Sequence, residues 1–141
     1  MPSFSLRVNI PKTDRELFVG DCLAVYWLAL PGNRLPAKKE YEATVDDYKV
    51  KAALSVIDML ALNNEPVPSH RIQKISWRGE SLWEIKAPQK GARIYRLLCY
   101  RHERWEFYVA LSGEKRTYEL PEIWKDTAVE RVKCSLDAGG P

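Results

Sequence analysis

Four basic residues in the second half of the chain have the types and the spacing needed to hold a phosphate group. They are Lys86, Arg96, Lys115 and Arg116. Arg96 has a planar guanidinium that holds a phosphate bidentately, and the other three would add positive charge around it. The sequence therefore predicts a reaction at a phosphate group whose charge is stabilised by cationic side chains, with no metal ion or other cofactor.

These four residues lie in the most basic stretch of the chain. Residues 71–116 contain 11 Lys or Arg and 5 Asp or Glu, although the 141-residue chain has a net charge of only +3. A basic block inside a folded region favours a polyanionic partner such as nucleic acid, but a solvated sheet face explains the charge equally well. If the partner is RNA, we expect further contacts from Lys90, Arg93 and Arg101.

Three consecutive strands are expected to position the cations. Alternation and turn residues predict them at 81–87, 93–102 and 104–112. Neighbouring strands lie about 4.8 Å apart, so Lys86, Arg96 and Lys115 would converge in one concave patch. Because a buried guanidinium without a partner is unfavourable, we expect the middle strand to stay partly exposed. An ion pair between Arg96 and Glu84 on the adjacent strand is the structural alternative.

The other elements complete an α+β fold. The expected elements are a strand at Phe4–Ile10, a strand at Asp21–Leu30, an uncertain helix at Lys38–Tyr48, a helix at Asp47–Leu62 and a helix after Pro121. We therefore predict a small, twisted, mainly antiparallel sheet. A long helix from the N-terminal side and a C-terminal helix would pack on one face of it.

Length and composition indicate a single domain, residues 1–141. No apolar stretch approaches the roughly 18 residues that span a bilayer, and no secretory signal is visible, so we expect a cytoplasmic protein without a membrane partner. Cys22, Cys99 and Cys134 are odd in number and lack CxxC spacing, which predicts buried, reduced thiols and no metal site.

Four motifs in series resemble a known family. They are Leu82-Trp83-Glu84-Ile85-Lys86, Ile94-Tyr95-Arg96-Leu97-Leu98, Lys115-Arg116-Thr117, and Pro121 followed by Ala128 and Arg131. In this order they resemble the HigB-like, phage-derived branch of the RelE/ParE toxin superfamily. The resemblance covers about residues 23–134 as a toxin core, and residues 1–20 form an N-terminal extension of unclear role.

The resemblance implies a RelE/ParE-like fold and the toxin of a type II toxin–antitoxin system. Such a toxin cleaves messenger RNA on the ribosome and is inhibited by a cognate antitoxin, often a helix-turn-helix protein. As an endoribonuclease it would use Lys86, Arg96, Lys115, Arg116 and Tyr118. Attack by the RNA's own 2′-hydroxyl needs a base, an acid and cations. A lysine whose pKa is lowered by basic neighbours, or Tyr118, is a candidate for proton transfer.

A non-enzymatic alternative shares the same fold. The ParE-like branch inhibits a protein target such as gyrase, and fold alone does not separate an inhibitor or binding module from an RNase. This sequence also departs from the family pattern. It has Gly113-Glu114 where relatives commonly carry an aromatic residue, and Lys86 where they carry a strand-end arginine.

Overall fold

The computed structural model describes residues 7–44, 46–115 and 119–141, and of Thr44 only the backbone. Arg116 and Tyr118, two of the predicted site residues, lie outside the described residues. The helices are α1 (Pro36–Thr44), α2 (Asp47–Leu62) and α3 (Glu122–Asp137). The strands are β1 (Glu16–Val19), β2 (Ala24–Trp27), β3 (Ile72–Trp77), β4 (Glu80–Pro88), β5 (Ile94–Glu103) and β6 (Glu106–Lys115). The predicted α+β class is confirmed.

The six strands form one mixed sheet in the order β1-β2-β6-β5-β4-β3. β2 runs parallel to β6, and every other neighbouring pair is antiparallel. The mainly antiparallel sheet is therefore confirmed, including the meander from β4 to β6. This meander places the predicted basic residues on three adjacent strands.

Helix α2 follows directly from its sequence. The side chain of Asp46 accepts a hydrogen bond from the backbone N–H of Lys49, which caps the first turn. Apolar residues at helical spacing form the buried face, namely Val50, Ala53, Leu54, Ile57 and Ala61. This face packs against one side of the sheet, together with buried residues such as Ile85 and Leu97.

Helix α3 packs on the opposite side of the sheet, against a second cluster that contains Leu82, Leu98 and Ala128. The expectation that all helices share one face is therefore wrong. Leu97 and Leu98 are adjacent in β5 and both fully buried, which requires cover on both faces of the sheet.

Two strands were not predicted, and the described part of one predicted strand is not a strand. Residues 7–10 lie outside any strand, and the rest of the expected strand Phe4–Ile10 falls largely on residues that the structure does not describe. β3 is joined to β4 by Arg78-Gly79, both with positive φ, as a two-residue hairpin turn requires. Arginine is untypical of such turns, so the sequence did not predict this hairpin.

The segment before β1 contacts the end of α3. The backbone N–H of Val8 donates to the carbonyl of Ala138 over 3.0 Å. Arg15 is 3% exposed and lies over the ring of Tyr108, 5.7 Å from its centroid. Residues 7–15 therefore help to cover the sheet beside α3. None of the helices in the described part of the chain has the length and apolar character needed to cross a membrane.

One carboxylate on α2 holds the turn between β1 and β2. Asp58 accepts hydrogen bonds from the backbone N–H groups of Asp21, Cys22 and Leu23 at 3.2, 2.7 and 2.7 Å. Partial burial raises the pKa of Asp58, but the three backbone N–H groups outweigh it and the net pKa is lowered. The ionised carboxylate therefore stabilises this turn.

Asp58→Asn is expected to lower the free energy of unfolding by about 1–2 kcal/mol at neutral pH, since charged hydrogen bonds are lost. Because the folded-state pKa lies below the ordinary value of 3.8, the stabilisation is fully present above that pH. It is lost as the pH falls through the lowered folded-state pKa. Urea unfolding of both proteins checks this, since the gap between them should shrink on acidification. A gap that does not depend on pH would contradict the assignment.

Candidate functional site

A row of paired residues crosses β4, β5 and β6. Lys86 is the Cα partner of Arg96, and Arg96 is the Cα partner of Gly113. Alternation places this row on the α3 side of the sheet, together with Leu98. Lys115 lies two residues beyond Gly113, hence on the same side and about 7 Å further along β6. The structure therefore brings Lys86, Arg96 and Lys115 to one region of one face.

Arg96 is buried in an ion pair. Its Nη1 atom donates to Oε2 of Glu84 over 2.6 Å, and the two residues are 2% and 3% exposed. Glu84 precedes Lys86 by two residues, so it shares the face of the row. β5 is partly exposed at its ends, as expected, but Arg96 itself is buried, and the structural alternative, an ion pair with Glu84, is the arrangement observed. A carboxylate neutralises the guanidinium and makes its burial tolerable.

Lys86 is held by β3 and the segment before it. Its ammonium donates to Oε1 of Gln73 over 3.0 Å and to the carbonyl of Ser69 over 3.4 Å. The same ammonium lies 3.7 Å from Oε1 of Glu84. Glu84 therefore contacts both cations of the row. The sequence reasoning treated it only as a structural partner of Arg96.

Trp124, in the first turn of α3, explains the glycine at position 113. A Cβ atom at Gly113 would lie 2.6 Å from the Cη2 atom of Trp124. The indole therefore lies directly on the strand, next to the position that pairs with Arg96. Within the described residues, an aromatic side chain reaches this place from the helix instead of from the strand.

Lys90 and Arg93 line a different surface. They border a groove of about 600 Å³ between the start of α2 and the turn between β4 and β5. Arg93 pairs with Glu114, with 3.3 Å between Nε and Oε1. Three acidic and three basic residues border the groove, namely Asp46, Asp47, Glu114, Lys49, Lys90 and Arg93. The groove is therefore electrostatically mixed and is not a continuation of the row around Arg96.

Arg101 is also separated from the row. Its guanidinium carbon lies 4.4 Å from the ring centroid of Trp83, on the α2 side of the sheet. Burial, and secondarily Arg104, lowers the pKa of Arg101. Arg101 is five residues from Arg96, which is about 17 Å along a strand. The structure does not bring it together with Lys86 and Arg96.

The cysteines supply no nucleophile on the sheet. Cys99 is buried as expected, and burial raises the pKa of its thiol, which disfavours the reactive thiolate. Cys22 and Cys134 are partly exposed, so the expectation of three buried thiols is wrong for these two. Among residues 7–44, 46–115 and 119–141, no group of three or more His, Cys, Asp or Glu is arranged to hold a metal ion.

An ion pair between Arg131 on α3 and Glu40 on α1 connects two helices at the edge of β6. The Arg131 guanidinium donates to both carboxylate oxygens of Glu40, at 2.9 and 3.1 Å, and to the carbonyl of Ala110. Glu40 also accepts from the backbone N–H of Ser112. Arg131 therefore has a structural role, with a partner on α1 that sequence spacing did not indicate.

Comparisons with known proteins identify one family across most of this region. The family described as phage-derived protein Gp49-like (DUF891) matches residues 40–133, about two thirds of the chain. DNA ligase 1 of Schizosaccharomyces pombe is 30% identical over 96 residues, which is 64% of this chain and 12% of the ligase. With so small a part of the ligase matched, no property of that enzyme is carried over. No solved structure matches the chain.

Proposed function

Because this chain belongs to the phage-derived Gp49-like family, part of the RelE/ParE-like superfamily of toxins from toxin–antitoxin systems, we propose that it is a type II toxin. Its proposed activity is metal-independent cleavage of messenger RNA on the ribosome, which arrests translation and growth. A cognate antitoxin, of helix-turn-helix type as in the HigB-like branch, would hold it inactive. A ribosomal substrate implies action in the cytoplasm.

The observation that carries this proposal is the register of β4, β5 and β6. It places Lys86 beside Arg96 on one face of the sheet, and Lys115 on the same face two residue pairs closer to the strand ends. Three cations on adjacent strands match the charge that develops on a phosphate during cleavage. Lys86 and Lys115 are partly exposed, so RNA can approach them from solvent.

The chemistry proceeds by attack of the 2′-hydroxyl on the adjacent phosphorus. The P–O5′ bond breaks, which leaves a 2′,3′-cyclic phosphate on one fragment and a 5′-hydroxyl on the other. Lys86 and Lys115 would stabilise the charge on the non-bridging oxygens, and Arg96 would hold the phosphate bidentately. Lys115 and Tyr118 are the candidates for proton transfer. Arg116 would add positive charge.

One observation favours a second function, inhibition of a protein target without RNA cleavage. Arg96 is only 2% exposed and is paired with Glu84. In this arrangement its guanidinium has no access to an RNA phosphate. A protein inhibitor on the same fold does not need that access.

The double substitution Lys86→Ala with Lys115→Ala is expected to relieve the growth arrest that follows induced expression. It removes two of the three described cations of the proposed site, both partly exposed, and it leaves the buried pair of Arg96 and Glu84 in place. Growth after induction checks this, with circular dichroism as a test of folding. A matched control removes two exposed lysines elsewhere, Lys38→Ala with Lys51→Ala. Arrest of equal strength in both double variants would contradict the proposal.

A further inference from the structure

Glu84 lies among the cations of the proposed site. On β4 it precedes Lys86 by two residues, and its Cα partner Leu98 follows Arg96 by two residues. One carboxylate oxygen therefore reaches Arg96 at 2.6 Å, and the other lies 3.7 Å from the ammonium of Lys86. At 3% exposure the carboxylate is almost completely removed from water.

A carboxylate and a phosphodiester are interchangeable partners for a guanidinium. Both are anionic and present two acceptor oxygens, so both accept parallel N–H bonds from arginine. A phosphate that pairs with Arg96 therefore competes with Glu84 for the guanidinium. We propose that Glu84 is a positioning residue that holds Arg96 in a retracted state, from which a phosphodiester of single-stranded RNA displaces it. This inference rests on the proposed function.

The neighbouring lysine makes such an exchange electrostatically feasible. When Arg96 turns to a phosphate, Glu84 keeps a cationic partner, because Lys86 is already within 3.7 Å. A buried carboxylate that lost its only partner would be strongly unfavourable. The exchange also replaces one negative charge beside Arg96 by another. Since Glu84 stays beside Lys86, the bound phosphate gives a cluster of two cations and two anions, which is neutral.

Trp124 restricts the path that Arg96 takes. Its indole lies against Gly113, the position that pairs with Arg96 on β6. The other side of the row is bounded by β4 and Lys86. We therefore expect phosphate to reach Arg96 along the strands, from the end of the sheet where the partly exposed Lys115 lies.

The test measures RNA affinity in the absence of cleavage. The full chain is titrated with a fluorescent single-stranded RNA whose 2′-hydroxyls are methylated, over a series of salt concentrations. In Glu84→Gln, Arg96 is released to phosphate, so binding should tighten severalfold. Because Arg96 contacts phosphate in both complexes, the slope of log affinity against log salt should be the same in Glu84→Gln and in the wild type. It should become less negative by about 0.7 in Arg96→Met with Glu84→Leu, which lacks this one phosphate contact. Glu42→Gln, an equal charge change at an exposed site on α1, is the matched control.

The affinity of Glu84→Gln, together with the slope of the variant that lacks Arg96, separates this inference from a purely structural role of Glu84. If Glu84→Gln and Glu42→Gln have the same affinity, or if the variant that lacks Arg96 has the slope of the wild type, the inference is wrong. If Glu84→Gln does not fold, the inference is tested on the wild type by NMR. The Arg96 side-chain N–H resonance, assigned by comparison with Arg96→Lys, should shift on addition of the RNA, and an unmoved resonance at saturation overturns the inference. Since no cleavage is measured, a chain that binds in this way without cutting mRNA contradicts only the proposed function.

Discussion

Arg96→Ala is expected to lower the free energy of unfolding by about 3–5 kcal/mol, because it leaves the Glu84 carboxylate buried without the guanidinium. Glu84 is 3% exposed, so water does not replace the lost partner. Lys86, at 3.7 Å, compensates only in part. Urea unfolding at neutral pH checks this value. Arg93→Ala breaks the exposed pair with Glu114 and should change stability by only about 0–1 kcal/mol. Equal effects of the two substitutions would contradict the account.

The double variant Arg96→Met with Glu84→Leu is expected to separate folding from activity. Replacing both partners of a buried ion pair by apolar residues is often neutral or stabilising, so most of the stability lost in Arg96→Ala should return. Cleavage of mRNA on translating ribosomes should nevertheless fall by about 10²–10³-fold, as when one charge-stabilising group is removed from an active site. Cleavage rates and urea unfolding are measured on the same preparation. A stable double variant that cuts like the wild type would show that Arg96 is purely structural.

The meander and the long helix were predictable because their signals are local. Alternating residues and turn signals placed β4, β5 and β6 within three residues of their observed ends. The cap at Asp46 and the helical spacing after it defined α2. The same alternation placed Lys86 and Arg96 on one side of the sheet, since a two-residue period assigns every residue of a strand to a face.

The remaining features depend on contacts between distant parts of the chain. The parallel pairing of β2 with β6 joins segments about 80 residues apart, and nothing in either segment specifies it. The burial of Arg96 depends on its ion pair with Glu84 on β4. It also depends on α3, whose Trp124 packs against the neighbouring Gly113. The partner of Arg131 lies on α1, on the far side of the β6 edge. Sequence spacing therefore identified the row, but it did not show that one of its cations is buried.

Mapping the 5′ ends of transcripts after brief induction tests the central claim most directly. With ribosome-bound and free RNA compared, the account predicts new ends that carry a 5′-hydroxyl, within coding regions and in the ribosome-bound fraction. These ends should persist in Lys38→Ala with Lys51→Ala and be absent in Arg96→Met with Glu84→Leu. Growth arrest with intact transcripts would contradict RNA cleavage and would leave inhibition of a protein target as the explanation for the toxicity.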